Sequence, residues 1–201
     1  MMSKLEFSIK IIEKKECKDI LKKYHYLSNI QKGFKSGVNY GLIKNGEVVG
    51  VCIYTGFPVP EIVVGCFGLC REDQKGFFEL SRLCLSPEVQ KKEHNIGSWF
   101  VAKTIRHLRK NNTVRSILSY ADNDFHKGII YKALGFKYYG LSCKRKDFWI
   151  EQTDGSFIKH SRGKTKGIKG EWRDRSQKHR FLLTYDKLLT VKWIEKPYLL
   201  E

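Results

Sequence analysis

Long hydrophobic runs are missing from this sequence. No uninterrupted apolar stretch approaches the roughly 18 residues that a membrane-spanning helix needs, so we expect no transmembrane segment and no membrane partner. Residues 1–19 alternate charges with short apolar pairs and lack the apolar core of a signal peptide, which predicts a cytoplasmic protein. Apolar residues still make up 41% of the 201 residues and aromatics 13%, so a wholly disordered protein is excluded and one buried core is expected.

Acidic residues are scarce relative to basic ones. The chain has 21 Asp and Glu against 38 Lys and Arg, which gives a net charge of +17. Such an excess favours a polyanionic partner, most often nucleic acid, because basic side chains that neutralise phosphates release the counterions. A source proteome in which many proteins are basic is the alternative explanation.

The six cysteines lack the pattern of a disulfide framework or a zinc site. In a cytoplasmic chain of this size we expect free and mostly buried thiols. Cys66 and Cys70 form a C-x3-C pair without a second pair downstream, whereas structural zinc favours closer, paired spacings. We therefore expect no structural zinc.

Strand and helix patterns alternate over residues 1–142. Two β-rich runs within residues 38–57 flank Asn45-Gly46, which suits a type I′ turn because both turn residues need positive φ. Helical spacing of apolar residues predicts helices over 16–24 and 96–110. Further strands are predicted at 7–12, 66–70, 79–85, 114–121 and 137–142, with a short helix before the last. This order predicts an α/β (α+β) fold, a mixed central sheet with helices on its faces.

Residues 143–201 are more basic and less periodic than the rest. We predict that they form a basic extension packed on a core of residues 1–142, because they hold too few apolar residues for a core of their own. Eight Lys or Arg and interleaved glycines between 162 and 180 are typical of a loop that follows a phosphate backbone, with Trp172 able to stack on a base. A solvated basic loop is the alternative. The predicted DNA-binding residues are Arg162, Lys164, Lys166, Lys169, Trp172, Arg173 and Arg175.

Several motifs resemble known families. The strand SILSYAD followed by HKGIIYKALGF is similar to the end of a GNAT acyltransferase domain. Five motifs in order resemble the Mom family of phage DNA-modification proteins, which are GNAT-like, and the resemblance covers residues from about 20 to 142. The motifs are Tyr24-His25-Tyr26-Leu27-Ser28, Leu80-Ser81-Arg82-Leu83, Ser119-Tyr120-Ala121-Asp122, His126-Lys127-Gly128 with Tyr131, and Gly135-Phe136 with Tyr138 and Gly140.

The resemblance implies an activity, cofactors and a partner. The implied activity is modification of the N6 amine of adenine in double-stranded DNA to a carbamoylmethyl-type derivative, which protects phage DNA from host restriction. The implied cofactors are acetyl-CoA or a related acyl-CoA, and iron. The location would be the host-cell cytoplasm if a phage encodes the protein. The oligomeric state stays open, a homodimer being one option.

The resemblance also implies a cofactor site. In the GNAT fold, acyl-CoA enters a gap between two parallel strands, and its pyrophosphate lies on the helix after the first of them. A helix N-terminus can bind phosphate through its free N–H groups. The loop at 86–98 occupies that position but is not glycine-rich, since only Gly97 is in place. The corresponding residues here are Leu83, Leu85, Asn95, Ile96, Gly97 and Ser98.

Two segments supply the first candidate site residues. His25 and Tyr26 stand in a predicted loop, where imidazole and phenolate can bind a metal or stack on a base; a plain surface loop is the alternative. Arg82 interrupts an apolar strand and needs an anionic partner or a cleft, because burying it unpaired is very costly. Its functional role is to hold substrate or counter developing charge, and the alternative is a structural ion pair.

The second half of the predicted core adds four more. Asp122 ends a strand, where open α/β sheets place ligands, and is a candidate general base or metal ligand with His25 and Tyr26. Ser119 orients substrate or only packs within its strand. Tyr131 gives a proton to a leaving thiolate or only fills the core. His126 is a site residue or a solvated helix cap.

Two other functions stay open from the sequence. An ordinary GNAT enzyme that acetylates a protein or a small amine explains the fold but not the charge. A non-catalytic DNA-binding protein on a GNAT scaffold explains the low glycine content of the loop at 86–98.

Overall fold

A seven-stranded sheet forms the centre of the molecule. The computed structural model describes residues 6–25, 33–160 and 163–198. The strands are β1 (Phe7–Ile11), β2 (Val38–Lys44), β3 (Glu47–Gly56), β4 (Phe77–Leu85), β5 (Ser116–Asp122), β6 (Lys137–Leu141), β7 (Arg145–Glu151), β8 (Phe157–Lys159), β9 (Gly170–Arg175) and β10 (Lys178–Thr184). The helices are α1 (Lys14–Tyr24), α2 (Glu61–Phe67), α3 (Pro87–Lys92), α4 (Ile96–Asn111) and α5 (Ile129–Ala133). The order in the central sheet is β1-β2-β3-β4-β5-β10-β6.

The pairing of β4 with β5 is parallel, and every other pair in this sheet is antiparallel. The hairpin β2–β3 turns at Asn45 and Gly46, whose φ angles of 52° and 83° confirm the predicted I′ turn. On β4 the register with β3 shifts between Leu80 and Arg82, so Ser81 is an extra residue. This bulge lies in the strand that forms half of the parallel pair.

Helices cover both faces of the sheet. On one face α4 and α5 pack on a core that includes Leu80, Ile117 and Phe181. On the other face, α1 packs on a cluster with Ile53 and Cys84. The same face carries α2, which packs on a cluster that includes Phe77, Leu118 and Leu182. Between the α1 and α2 clusters, this second face of β4, β5 and β10 carries polar side chains, because successive strand residues alternate between faces.

The basic segment differs from its prediction in topology. Residues 143–177 lie between β6 and β10 and contain a separate sheet of order β8-β7-β9, which we call the inserted sheet. Strand β10 follows it and pairs with both β5 and β6 in the central sheet. The boundary at residue 142 therefore does not separate a core from an extension, because the core needs a strand from beyond it.

Two local predictions are wrong. Residues 66–70 form no strand, since Cys66 and Phe67 end helix α2 and Gly68 closes it with a φ of 68°. The segment 86–98 is not a plain loop, because Ser86 caps helix α3 through the N–H of Val89. All six cysteines are free thiols, as expected. No described helix is long and apolar enough to cross a membrane.

Candidate active site

Strands β4 and β5 separate in the middle of the sheet. Their pairing ends at Leu80 and Ser119, although β4 continues to Leu85 and β5 to Asp122. The Ser119 hydroxyl donates a hydrogen bond of 3.0 Å to the Leu80 carbonyl at the last paired position. Beyond it the two strands are no longer paired, and we call the space between them the fork. Ser119 is thus buried at the vertex of the fork.

Glu79 lies one residue before the vertex, on the α1 and α2 face. It pairs across the strands with Thr55, which is itself buried. Burial raises the pKa of the Glu79 carboxyl to about 7, although Arg82, Lys35 and Thr55 each act to lower it. A carboxyl group with this pKa can take up and release a proton near neutral pH. The sequence analysis missed Glu79; its signal was an acid inside the apolar run FFELSRLCL.

Arg82 follows the bulge at Ser81 on the same face. Its guanidinium donates a 2.6 Å hydrogen bond to the Ser81 carbonyl, and its charge acts on both Glu79 and His25. The arginine therefore belongs to a polar group beside the fork, and its functional role stays a prediction.

Asp122 ends β5 on the same face and has a cationic partner. Its carboxylate accepts hydrogen bonds from Lys178 and Ser176, and from the N–H of Asp124 at 3.2 Å. Burial alone would raise the pKa of Asp122, but these hydrogen bonds outweigh it and lower the pKa below its ordinary value. Asp122 is therefore ionised and held in place, which fits a positioning or electrostatic role better than that of a base.

Two histidines approach the fork from different elements. His25 follows α1, where its N–H caps the helix on the Leu21 carbonyl at 3.0 Å. Burial, followed by the charges of Arg82 and His126, lowers the pKa of His25 to about 4. Burial also lowers the pKa of His126, against the opposing effect of Asp122. Both imidazoles are therefore neutral at pH 7. The charges of Arg82 on β4 and His126 in the turn after β5 both act on His25, which follows α1, so the three residues lie near one another.

Tyr120 and Arg180 complete the face beside Glu79, and the sequence analysis missed them as well. Burial, then the charge of Glu79, raises the pKa of Tyr120 to about 12. Arg180 stacks over the Trp193 ring at 4.7 Å and donates a 2.6 Å hydrogen bond to the Tyr139 carbonyl. We call the six residues Glu79, Arg82, Tyr120, Asp122, Lys178 and Arg180 the polar cluster.

Tyr131 lies on the opposite side of the sheet, in α5. Its ring packs against Phe181 and Phe136, with centroid distances of 4.9 and 5.4 Å, and it is buried. The structure therefore shows the packing role of Tyr131, and its predicted proton transfer stays a prediction.

The described residues do not fit an iron site. Among residues 6–25, 33–160 and 163–198 there is no group of three or more His, Cys, Asp or Glu that could hold a metal ion. Of the predicted metal set, Asp122 uses its carboxylate oxygens for Lys178, Ser176 and Asp124, and Tyr26 lies outside the described residues. The prediction of iron bound by His25, Tyr26 and Asp122 is therefore not supported.

The residues predicted to bind acyl-CoA lie on the α4 side of the sheet, opposite the polar cluster. Leu83 and Leu85 belong to the α4 side, and Ile96 is buried at the first turn of α4. Asn95 precedes this turn with a φ of 57°, and the Ser98 hydroxyl donates to the Asn95 carbonyl at 3.0 Å. Gly97 allows a close approach, since a Cβ there would lie 3.0 Å from Ile130 Cδ1 of α5.

An acyl-CoA fits this side, with one unusual neighbour. The edge of β4 that faces the fork offers backbone groups to the amides of a pantetheine arm, and the 16-residue helix α4 begins beside it. Glu93, which is buried just before α4, brings a negative charge near the expected pyrophosphate position. Lys44 lies 3.7 Å from the Glu93 carboxylate and offsets that charge.

The predicted DNA-binding residues lie on and beside the inserted sheet. Lys164, Lys166 and Trp172 are exposed, Trp172 with 56% of its surface accessible. Three cations are in ion pairs: Lys169 with Glu151 at 2.8 Å, Arg173 with Glu171, and Arg175 with Asp147 at 3.3 Å. The Arg173 guanidinium also stacks over Phe157 at 4.4 Å. Arg162 lies outside the described residues.

Solved structures share this architecture. A GNAT family acetyltransferase from Elizabethkingia anophelis with acetyl-CoA bound is similar, with a TM-score of 0.52, 14% identity, and coverage of 90% of this chain and 99% of that chain. A Bacillus subtilis acetyltransferase in complex with CoA gives a TM-score of 0.50 at 15% identity, covering 90% of this chain and 98% of that chain. An IAA acetyltransferase from Bacillus cereus gives 0.51 at 12% identity, covering 89% and 99%.

At such identities the likeness defines the fold alone. The protein has the fold of the GNAT acetyltransferases, which confirms the predicted class. Its sequence is matched over residues 6–197 by the Mom protein family. The chain therefore belongs to the Mom family, and the match extends well beyond residues 20–142. No curated protein matches the sequence.

Proposed function

We propose that the protein modifies the N6 amine of adenine in double-stranded DNA, with an acyl-CoA as donor. The observation that carries the proposal is the polar cluster beside the fork in a chain that belongs to the Mom family. The acceptor base would approach from the α1 and α2 face, where the polar cluster lies. The donor would approach from the α4 side. The two meet at the vertex formed by Leu80 and Ser119.

Glu79 is the residue best suited to accept a proton. The N6 amine is a weak nucleophile because its lone pair is delocalised into the purine ring. As its nitrogen bonds to the acyl carbon, the thioester C–S bond would break, CoA would leave as the thiolate, and the amine would give up one proton. With a pKa of about 7, the Glu79 carboxylate can take that proton at neutral pH. Arg82, three residues along, counters negative charge that develops at the vertex.

Acyl-CoA supplies the transferred group when it is bound. Leu83, Leu85 and the residues Asn95–Ser98 would hold it between β4 and α4, as the fit described above supports. Tyr131 in α5 has its ring packed behind the fork and helps to exclude water from it.

The DNA partner is supported by the charge and its location. The chain has a net charge of +17. Lys164, Lys166 and Trp172 are exposed on and beside the inserted sheet. Because the reacting amine lies within the duplex, the adenine must leave the base stack to reach the fork, at a cost of a few kcal/mol.

Mass spectrometry of nucleosides tests the proposal directly. DNA from cells that express the wild type should contain a deoxyadenosine adduct, and Glu79→Gln and Arg82→Ala should abolish it while the proteins stay folded. Arg71→Ala is the matched control, since Arg71 is exposed and pairs with Glu61 at 3.0 Å on the surface. Unmodified DNA from cells that hold abundant soluble wild type would contradict the proposal.

An ordinary N-acetyltransferase is the second candidate. The similar solved structures are acetyltransferases by name, and a carboxyl group near pKa 7 would equally serve an aliphatic amine acceptor. Acetyl transfer to lysine peptides that DNA does not affect would favour this candidate. If the protein binds DNA but no CoA species, a non-catalytic DNA-binding function replaces both.

A further inference from the structure

An exposed phenylalanine stands beside the candidate active site. Phe125 has 58% of its surface accessible, and Ile129, the first residue of α5, has 76%. Single exposed apolar residues are common and need no explanation by themselves. The location is what requires one, because Phe125 lies three residues after Asp122, in the turn that leads from the polar cluster to α5.

The turn holds Phe125 firmly in this exposed position. The Asp122 carbonyl accepts hydrogen bonds from the N–H groups of Phe125 and His126, at 3.1 and 2.9 Å. The Asp122 carboxylate accepts a third from the N–H of Asp124 at 3.2 Å. These bonds hold the backbone of the turn, so binding through Phe125 need not order that backbone.

The same turn connects the candidate site with the inserted sheet. The N–H of Asn123 donates a 3.0 Å hydrogen bond to the carbonyl of Gln177, which joins the inserted sheet to β10. On its other side, His126 acts electrostatically on His25, and Lys127 follows directly. Phe125 thus lies in a turn that begins at Asp122 of the polar cluster and bonds to the segment connecting the inserted sheet with β10.

We propose that Phe125 is an apolar wedge that enters the base stack of duplex DNA and fills the space left by the extruded adenine. This inference rests on the proposed function and adds a residue that controls base extrusion. Apolar side chains inserted between base steps unstack them and kink the duplex, and an aromatic ring replaces the stacking that the extruded base loses.

The net charge of the chain favours DNA over a protein partner for this residue. The charges next to Phe125 balance, because Asp124 and Lys127 stand on either side of it in the turn and Lys178 is paired with Asp122. A second copy of a chain with net charge +17 would bring like charges to the same surface, whereas a duplex brings phosphates. Self-association through Phe125 is therefore an outcome that the experiment must be able to detect.

Fluorescence of 2-aminopurine in a short duplex measures the unstacking. The probe replaces one adenine, and its emission rises when the base leaves the stack. The wild type should raise the emission at saturating protein, and Phe125→Ala should lose most of the rise and bind the duplex roughly tenfold more weakly. Phe125→Leu should keep much of both effects, because leucine also serves as a wedge. Leu188→Ala is the matched control, since Leu188 is an exposed apolar residue outside the site with 92% of its surface accessible.

A second duplex separates loss of the wedge from loss of folding. With the probe base opposite an abasic position, extrusion costs less, so Phe125→Ala should bind that duplex within about threefold of the wild type. Equal emission for wild type and Phe125→Ala on the paired duplex would overturn the wedge while DNA binding stands. A Phe125→Ala effect confined to oligomeric state or to CoA affinity would overturn it too. No duplex binding by the wild type would overturn both the wedge and the proposed function.

Discussion

Ser119 and Leu80 share the last paired position of β4 and β5, and the Ser119 hydroxyl hydrogen bonds to the Leu80 carbonyl across it at 3.0 Å. The hydroxyl fastens the two strands at the point where they diverge. The fork therefore has a defined vertex, with Glu79 one residue before it and Arg82 two residues after it.

Removal of this hydrogen bond should weaken the vertex. We expect Ser119→Ala to lower the free energy of unfolding by about 1 kcal/mol, because a buried hydrogen bond is lost. Urea unfolding measures the change. Ser98→Ala provides the comparison, since the Ser98 hydroxyl also bonds to a carbonyl at 3.0 Å but is exposed, and it should have almost no effect. Equal losses for the two variants would contradict the assignment.

Glu79 should make the stability of the fold depend on pH. Burial raises the pKa of its carboxyl from 4.5 to about 7, so the folded state binds this proton more tightly than the unfolded state does. The stability that follows is fully present below pH 4.5 and is lost as the pH rises through 7. Glu79→Gln should thus gain stability relative to the wild type between about pH 5 and pH 8, on the order of 2 kcal/mol. Urea unfolding at both pH values tests this, and a difference independent of pH would argue against a raised pKa.

The pair Asp122 and Lys178 should show coupling. Asp122→Asn leaves the Lys178 ammonium next to a neutral group, and we expect a loss of about 2 kcal/mol, less than for a fully buried pair because Lys178 is partly exposed. Addition of Lys178→Met should recover part of the loss. A double-mutant cycle in urea gives the coupling energy. If the two losses simply add, the ion pair contributes nothing measurable.

Two left-handed glycines near α5 give a matched pair of substitutions. A Cβ at Gly128, where φ is 74°, would lie 2.5 Å from the Phe181 ring, whereas a Cβ at Gly135, where φ is 76°, meets nothing within 4 Å. Both alanine variants should lose about 1 kcal/mol from backbone strain. Gly128→Ala should lose a further roughly 2 kcal/mol from the clash, as measured by thermal unfolding. A similar melting temperature for both would mean that Phe181 moves away without cost.

The exposed lysines of the basic segment should determine the salt dependence of DNA binding. Replacement of Lys164 and Lys166 by alanine should lower the slope of log affinity against log salt by roughly 1 to 2. Lys169→Ala should lower it less, because Lys169 is already paired with Glu151 at 2.8 Å. Fluorescence anisotropy over a salt series measures the slopes. An unchanged slope in the double variant would place the phosphate contacts elsewhere.

Local patterns predicted the local elements of this fold. The hairpin at Asn45-Gly46 and helix α4 were predictable because turn chemistry and helical spacing are properties of neighbouring residues. The central position of strand β10 was not: the run FLLTYDKLL is typical of a strand or edge element, and it lies inside the sheet only because it pairs with β5 and β6 from far along the chain. Residues 66–70 were misassigned because their apolar run is too short to distinguish strand from helix.

In the candidate site, too, single residues were predictable from local sequence and long-range contacts were not. Arg82, Ser119 and Asp122 stood out in the sequence, and the structure places all three around the fork. The ion pair of Asp122 with Lys178 joins residues 56 positions apart and gave no sequence signal. Glu79 was missed because an acid in a strand usually faces solvent, and only its burial between α1 and α2 changes its chemistry.

The position of β10 has a consequence for biosynthesis. Strands β5 and β6 are not neighbours in the sheet, and each needs β10 as its partner. During translation, Asp122 is made well before Lys178, so its charge stays without this cation while the whole inserted sheet emerges from the ribosome. Completion of the sheet and assembly of the polar cluster must then occur together, late in synthesis. A chain interrupted before residue 178 therefore has neither the completed sheet nor the polar cluster.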